Sequence, residues 1–259
     1  MRQWQTLVKK ELLGNFRDRK WIWVPIVLIL LAVMDPVSNY YLPQILDAVG
    51  GLPDGAIFEM PQVTGIDAIM MSISQLSSLG ILIFVLISMG TIAGERKSGI
   101  AELILVKPVS YTAYIMSKWT ALLALVLVSY IVSMLFAWYY IGMLYEFIPI
   151  GDFLLLLFFY GLWFVLVVTL SIFYNTVFRS PGLVAFSTIA TIIVLSVVTS
   201  MFGQKLNYSP SNLSNHALHY LQTGDISGAL IGSAVTTISI CALLLVWSIY
   251  IFQTKEHAS

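Results

Sequence analysis

The chain alternates between long apolar runs and short polar stretches. Six runs are long enough for a bilayer-spanning helix, which needs about 20 mostly apolar residues. They are continuously apolar and lack the two-residue alternation of barrel strands, which predicts helices. The first run is the least regular, because its purely apolar part stops at Met34, before Asp35 and Pro36. The predicted spans cover residues 21–41, 68–92, 119–145, 153–178, 181–202 and 226–254.

Composition supports this pattern. Of the 259 residues, 59% are hydrophobic and only 10% are charged, whereas a soluble domain has about 25% charged residues. Too few charges remain to cover a soluble globule, which excludes an ordinary soluble enzyme, a disordered protein and a nucleic-acid binder. The sequence therefore predicts an all-α, polytopic membrane protein that forms one transmembrane domain over residues 1–259.

The net charge is zero, but the basic residues are distributed unevenly along the chain. If both termini face the cytoplasm, twelve of the 13 Lys and Arg residues lie inside, and Lys205 lies outside. The positive-inside rule favours this orientation, and an even number of spans is required for it. We expect a multi-pass protein of a bacterial plasma membrane with both termini in the cytoplasm.

Residues 1–20 precede the first span and combine an apolar face with a basic face. Such a pattern is typical of an amphipathic helix that lies in the membrane interface. We expect an elbow helix that anchors the chain to membrane lipid. Its apolar residues recur at helical spacing and are Trp4, Leu7, Val8, Leu12 and Phe16.

The polar segment 94–118, between the second and third spans, is the most informative part of the chain. Ile100, Leu103 and Ile104 fit one face of a short helix, which Pro108 would end. A connector of about 25 residues with its own amphipathic helix is longer than two adjacent spans need. The segment is predicted to be a docking element on the cytoplasmic surface, and the alternative is an interfacial helix that only supports the bundle.

This segment resembles the cytoplasmic coupling region of type-2 ATP-binding-cassette (ABC) exporter permeases. The sequence departs from the family pattern at Lys97, Ile100 and Tyr111, where Glu, Thr and Arg are usual, without changing its spacing. The elbow helix, the six spans and the large outer loop agree with the family over the whole chain. The residues that carry the resemblance are Glu95, Arg96, Gly99, Glu102, Leu103, Leu105, Pro108 and Ser110.

The resemblance implies a permease subunit that pairs with a second copy or a related permease and binds separate ATPase subunits. ATP and Mg²⁺ would be bound by those ATPase subunits, because this chain has no Gly-x-x-x-x-Gly-Lys-Ser/Thr phosphate loop and needs no cofactor of its own. The chain would therefore not be an enzyme, and no residue is assigned a catalytic role. The residues expected to couple it to the ATPase are Glu95, Arg96, Gly99, Glu102, Leu103 and Pro108.

The predicted spans contain no Lys, Arg, Asp, Glu or His in their interiors, which argues against a proton-coupled carrier or an ion pump. Gln75 and Asn175 are the strongest hydrogen-bonding residues in the spans and are candidates for a substrate path. Hydrogen bonds between helices are the alternative explanation for both residues. His216 and His219 lack further ligands at suitable spacing, so no metal site is expected.

Two other functions compete with export. An intramembrane enzyme would need buried His, Glu or Asp clusters, which the predicted spans lack. A membrane receptor or regulatory protein could bind a cytoplasmic partner through the 94–118 segment without transport. Recruitment of an ATPase discriminates between this last alternative and an exporter permease.

Overall fold

The computed structural model describes residues 2–48, 63–100, 110–203 and 205–257, and these form helices joined by turns and short loops. Numbered in chain order, the helices are α1 Arg2–Arg17, α2 Lys20–Ala48, α3 Gly65–Gln75, α4 Ile81–Ser88, α5 Ala93–Lys97, α6 Tyr111–Leu144, α7 Ile150–Val177, α8 Pro181–Phe202, α9 Leu213–Thr223 and α10 Gly228–His257.

Within the described residues, six helical segments are long and apolar enough to cross a membrane, which confirms the predicted all-α fold and number of spans. α3, α4 and α5 together form the second of these segments. The chain begins and finishes at the same end of the bundle, where Lys10 of α1 contacts Glu95 of α5 and Arg96 lies over Phe252 of α10. This end is called the terminal end below, and the opposite end is called the far end. The cytoplasmic orientation of the terminal end stays a prediction.

α7 lies at the centre of the bundle and packs against α4, α6, α8, α9 and α10. An aromatic cluster forms its core, in which Phe84, Tyr130 and Tyr160 each place their rings 4.9–5.0 Å from the ring of Phe164. These rings meet edge to face, an arrangement that aromatic pairs favour. The bundle is therefore built around α7, and the other helices are positioned by their contacts with it.

The first span is longer than predicted, because α2 runs without a break through Asp35 and Pro36 and continues beyond residue 41 to Ala48. Proline lacks an N–H group, so the carbonyl of Ala32 loses its usual helical partner at Pro36. Ser72 of α3 donates a hydrogen bond to that carbonyl at 2.6 Å, and Tyr145 donates one to the carbonyl of Pro36 at 2.9 Å. Neighbouring helices thus replace the missing hydrogen bond, as they commonly do in membrane proteins.

The second span contains a π-helical turn at residues 76–80, between α3 and α4. The carbonyl of Ile73 accepts hydrogen bonds from the hydroxyls of Ser77 at 2.7 Å and Tyr160 at 3.3 Å. Tyr160 also contacts the hydroxyl of Ser77. These side chains satisfy backbone groups that a π-helical turn displaces from the regular ladder.

The third span begins earlier than predicted, at Tyr111 rather than near residue 119. Ser110 caps it by accepting a hydrogen bond from the N–H of Ala113 at 3.2 Å, a typical N-cap contact. Residues 111–118 therefore belong to α6 and not to the predicted coupling loop. Residues 101–109 of that loop lie outside the described part of the chain.

At the far end, the short helix α9 is attached to the start of α7. The hydroxyl of Tyr220 donates a hydrogen bond to the carboxylate of Asp152 at 2.8 Å. This hydrogen bond raises the pKa of Tyr220, because an ionised hydroxyl could not donate to the carboxylate and would be repelled by it. The contact fixes the segment between α8 and α10 against the central helix.

Candidate functional site

Four charged side chains meet at the terminal end and are called the ion cluster below. Lys118 of α6 places its Nζ 2.8 Å from Oε1 of Glu95 in α5 and 3.1 Å from Oε1 of Glu11 in α1. Lys10 lies 3.5 Å from Glu11 and 3.8 Å from Glu95. The ion cluster therefore joins the N-terminal helix, the start of the predicted coupling loop and the third span.

Lys118 is only 1% exposed, whereas Glu11 and Glu95 are each 19% exposed. A lysine removed from water to this degree is tolerated only when anionic partners lie beside it. The carboxylates of Glu11 and Glu95 supply two negative charges, and Lys10 supplies the second positive charge that balances them. Because the position of Lys118 is fixed by the packing of α6, the position of Glu95 at the start of the loop is fixed with it.

Tyr114, one turn before Lys118, completes the environment of Glu95. Its hydroxyl donates a hydrogen bond to Oε2 of Glu95 at 2.6 Å. The Nζ of Lys118 also lies 5.1 Å from the centre of the Tyr114 ring, within the range of a cation–π contact. Both oxygens of Glu95 are thus engaged by α6, one by an ammonium group and the other by a hydroxyl.

Asn175 of α7 bridges the break between α4 and α5. Its Oδ1 accepts hydrogen bonds from the N–H groups of Ile92 at 3.0 Å and Ala93 at 2.9 Å. Its Nδ2 donates to the carbonyls of Ser88 at 3.0 Å and Ser171 at 2.9 Å. The fully buried amide therefore satisfies backbone groups on both sides of the break. A role for Asn175 in a substrate path stays a prediction, but these bonds occupy both protons and the oxygen of its side chain.

The two residues that follow Asn175 end α7 and are bound by cations from other helices. Arg96 of α5 donates to the carbonyl of Thr176 at 3.2 Å, and Lys255 of α10 donates to the carbonyl of Val177 at 2.6 Å. Cations are favourable at helix C-termini because the last carbonyls lack intrahelical partners. Asn175, Thr176 and Val177 of α7 thus form hydrogen bonds both to the start of the coupling loop and to the last span.

Aromatic side chains also fix the position of Arg96. Its guanidinium lies 5.4 Å from the centre of the Phe252 ring in α10, and that ring stacks on Tyr114 at 5.5 Å. Phe252 has no exposed surface. Arg96 and the neighbouring Glu95 therefore reach different helices, with Arg96 on α7 and α10 and Glu95 on α1 and α6.

A cavity of about 610 Å³ borders the ion cluster, between α1, α2 and the break that precedes α5. Glu11, Glu95 and Lys118 line one part of it. Met89 and Gly90 of the break line another part, and Gly90 has open space around it. The cavity therefore borders the break on the side of Gly90, while Ile92 and Ala93 are buried and bound by Asn175.

Gly99 follows the end of α5 and has a φ of +75°. Glycine is favoured there because this left-handed conformation is strained for residues with a Cβ atom. Gly99 therefore sets the direction in which the chain leaves α5. The other predicted coupling residues, Glu102, Leu103 and Pro108, lie outside the described residues, so their roles stay predictions.

Gln75 lies far from the ion cluster, toward the far end of the bundle, and donates a hydrogen bond to Oδ1 of Asp35 at 3.2 Å. The prediction that the span interiors lack ionisable side chains is therefore wrong. Asp35 lies in the middle of α2 because that helix continues through Pro36, and Lys118 lies in α6 because that helix begins at Tyr111. The sequence pattern places Lys118 in the coupling loop and Asp35 within the first predicted span, just after its purely apolar part stops at Met34.

Sequence reasoning also missed Lys10, Glu11 and Lys118 as site residues. A signal for Lys118 does exist in the pattern of α6. Its neighbours one turn away on either side, Tyr114 and Leu122, are apolar and buried, so a continuous helix places Lys118 on the buried face. Nothing in the spacing of the chain could indicate that Glu11 reaches this lysine from 107 residues away.

These features define a class of protein: a multi-pass helical membrane protein that has an ion cluster where the loop between its second and third spans begins. A family model described as "ABC-2 family transporter protein" matches residues 5–257. The chain therefore belongs to the ABC-2 transporter family, whose members are membrane permease subunits rather than catalytic chains. It is also similar to the "Uncharacterized transmembrane protein YxlG" of Bacillus subtilis (strain 168), with 30% identity over 257 residues and 99% of each chain covered.

We predict that Lys118→Met destabilises the folded chain by about 3 kcal/mol, because it leaves two partly buried carboxylates without their shared cation. The measurement is thermal unfolding of the detergent-solubilised protein, in which the variant should lose several degrees of Tm. Lys97→Met is the matched control, because Lys97 lies in the same region but is exposed and has no ion pair among the described residues. Equal unfolding temperatures for the two variants would show that the ion cluster does not stabilise the fold.

We predict that Asn175→Leu, a substitution of similar size, selectively weakens the break between α4 and α5. The N–H groups of Ile92 and Ala93 would lose their acceptor, so their hydrogen–deuterium exchange should become about tenfold faster. Asn215→Leu in the exposed part of α9 is the control and should leave both amides unchanged. Unaltered exchange at Ile92 and Ala93 in Asn175→Leu would contradict the bridging role.

Proposed function

We propose that this chain is the membrane permease subunit of an ABC exporter, driven by separate ATPase subunits that dock on the loop leaving α5. The membership of residues 5–257 in the ABC-2 transporter family is the observation that carries this proposal. A second copy of the chain, or a related permease, would complete the membrane domain. ATP and Mg²⁺ would be bound by the ATPase subunits.

The contacts of Glu95 and Arg96, where the loop begins, support a role in transmitting movement from the ATPase to the membrane helices. Glu95 is held by α1 and α6 through the ion cluster, and Arg96 is held by α7 and α10. A force applied beyond Gly99 would therefore reach four helices through two adjacent side chains. The break before α5 lies beside a cavity of about 610 Å³, which would allow the second span to bend there.

Orientation follows from the same proposal. The terminal end, with the ion cluster and most of the basic residues, would face the cytoplasm, where ATP is available. α1 would lie along the cytoplasmic surface of the bacterial plasma membrane, with its apolar face in membrane lipid. The far end, with α9 and the outer loop, would face outward, and export is the direction implied by the resemblance to exporter permeases.

We predict that the affinity-tagged chain, purified from its native host in mild detergent, retains an ATPase that carries a nucleotide-binding phosphate loop. Gly99→Ala should reduce the recovered ATPase several-fold, because a Cβ atom is strained at a φ of +75° and would redirect the loop. The measurement is the amount of ATPase per permease by quantitative mass spectrometry.

Gly94→Ala is the matched control for this experiment. Gly94 lies in α5, five residues before Gly99, and a Cβ atom added there would meet no atom within 4 Å, so this variant should recover as much ATPase as the wild type. Recovery of no ATPase with the wild-type chain would overturn the transporter proposal and favour a receptor or regulatory protein. Equal recovery with Gly99→Ala and Gly94→Ala would contradict docking through this loop.

A further inference from the structure

Asp35 is a carboxylate inside a predicted membrane span and is only partly exposed. Its Oδ1 accepts a hydrogen bond from Nε2 of Gln75 at 3.2 Å. No further hydrogen bond to Asp35 is found within the described part of the chain. Ionisable groups inside a membrane are costly and generally serve a function, so this carboxylate requires an explanation beyond packing.

The pair lies well inside two helical segments that are long and apolar enough to cross a membrane. Gln75 lies ten residues beyond Gly65, the first residue of α3, which corresponds to about 15 Å along the helix. Asp35 lies 15 residues beyond the start of α2, or about 22 Å from it. Both residues therefore lie at least ten residues from either end of their segment.

Among the described residues, no cation pairs with this carboxylate. Residues 21–95 contain no Lys, Arg or His, and Lys20, the first residue of α2, pairs with Asp18 instead. None of the ion pairs found in the described part of the chain includes Asp35. Within the described residues, the carboxylate of Asp35 is therefore hydrogen-bonded but has no cationic partner.

Asp35 lines a groove of about 320 Å³ together with Ser38, Asn39, Leu42 and Met71. The α2 residues follow one helical face, three, four and seven positions after Asp35. The side chains of Ser38 and Asn39 have no hydrogen-bond partner among the described residues. The groove thus combines one carboxylate, one hydroxyl and one amide oxygen with two apolar walls.

This set of groups matches one ligand class. A primary ammonium group has three N–H donors, and the groove offers a carboxylate oxygen, a hydroxyl and an amide oxygen as acceptors. Hard inorganic cations such as Ca²⁺ or Mg²⁺ require about six or more oxygen ligands, which the groove lacks. The apolar side chains of Leu42 and Met71 suit an alkyl or aromatic portion attached to the amine.

We propose that the Asp35 groove binds the primary ammonium group of an amphipathic amine, with Asp35 as the counter-ion and Gln75 as its positioning residue. A second claim rests on the proposed transport function: amines of this class are a cargo of the transporter. The binding claim itself concerns this chain alone and does not require an ATPase.

The test uses dansylcadaverine, a fluorescent primary amine with an apolar dansyl group, and the purified full chain in nanodiscs of neutral phosphatidylcholine. Saturable binding is measured by energy transfer from tryptophan to dansyl, with empty nanodiscs subtracted. Asp35→Asn should weaken binding about tenfold or more, because a hydrogen bond to a charged acceptor is lost. Gln75→Leu should weaken it less, because the carboxylate remains.

Two controls test whether binding depends on the charge of Asp35 and on the amine of the probe. Asp225→Asn removes an exposed acid from the loop before α10 and should leave the affinity unchanged. A dansyl probe that ends in a hydroxyl instead of an amine should bind weakly and equally to the wild type and Asp35→Asn. If Asp35→Asn does not elute as a folded protein, the double variant Ser38→Ala with Asn39→Leu replaces it and should also weaken binding.

Three results would overturn the proposed site: unchanged affinity in Asp35→Asn, equal dependence of the hydroxyl probe on Asp35, or displacement of the probe by Na⁺ at constant ionic strength. The cargo claim is tested separately, with the permease–ATPase complex in inverted membrane vesicles. ATP-driven dansylcadaverine uptake that Asp35→Asn abolishes would support it. Asp35-dependent binding without ATP-driven uptake would overturn only the cargo claim, and an absent ATPase would instead overturn the proposed transport function.

Discussion

The buried ammonium group of Lys118 is the constraint on which the terminal end of the structure depends. Because it has almost no contact with solvent, it must keep Glu95 and Glu11 within ion-pair distance. Those carboxylates belong to two different helices, so the positions of α1, α5 and α6 cannot vary independently without exposing or isolating a charge. The N-terminal helix is thereby fixed to the loop that the proposed function assigns to the ATPase.

The end of α7 imposes a second constraint on the same short helix. Asn175 holds the backbone on both sides of the break before α5, and Thr176 receives Arg96. α5 is therefore attached to the central helix through backbone hydrogen bonds and to the N-terminal helix through charges. The cavity borders this break, which is where the proposed mechanism has the second span bend. A fixed α5 beside this cavity supports the mechanical role that we propose for the loop.

The overall fold was predictable from the sequence because six apolar runs of sufficient length allow few other structures. The boundaries of two spans were not: the first span extends beyond residue 41, and the third begins before residue 119. A proline normally indicates a break, yet the helix continues through Pro36 because Ser72 binds the carbonyl of Ala32, 40 residues away from it in the chain. A lysine next to an apolar run normally indicates the membrane boundary, yet Lys118 is buried because Glu11 and Glu95 reach it from other helices. Both compensating contacts are long-range, and one sequence contains no direct record of them.

Electron paramagnetic resonance distances between α1 and α5 test the central claim most directly. Spin labels at Gly14→Cys and Lys97→Cys, in a Cys241→Ala background, would be measured in the permease–ATPase complex with and without ATP. We predict one narrow distance that is unchanged by ATP in the otherwise native protein and becomes broad in Lys118→Met, because the ion cluster holds the two helices as a unit. A distance that shifts on ATP addition while Lys118 is intact would contradict this claim, since α1 and α5 would then move independently.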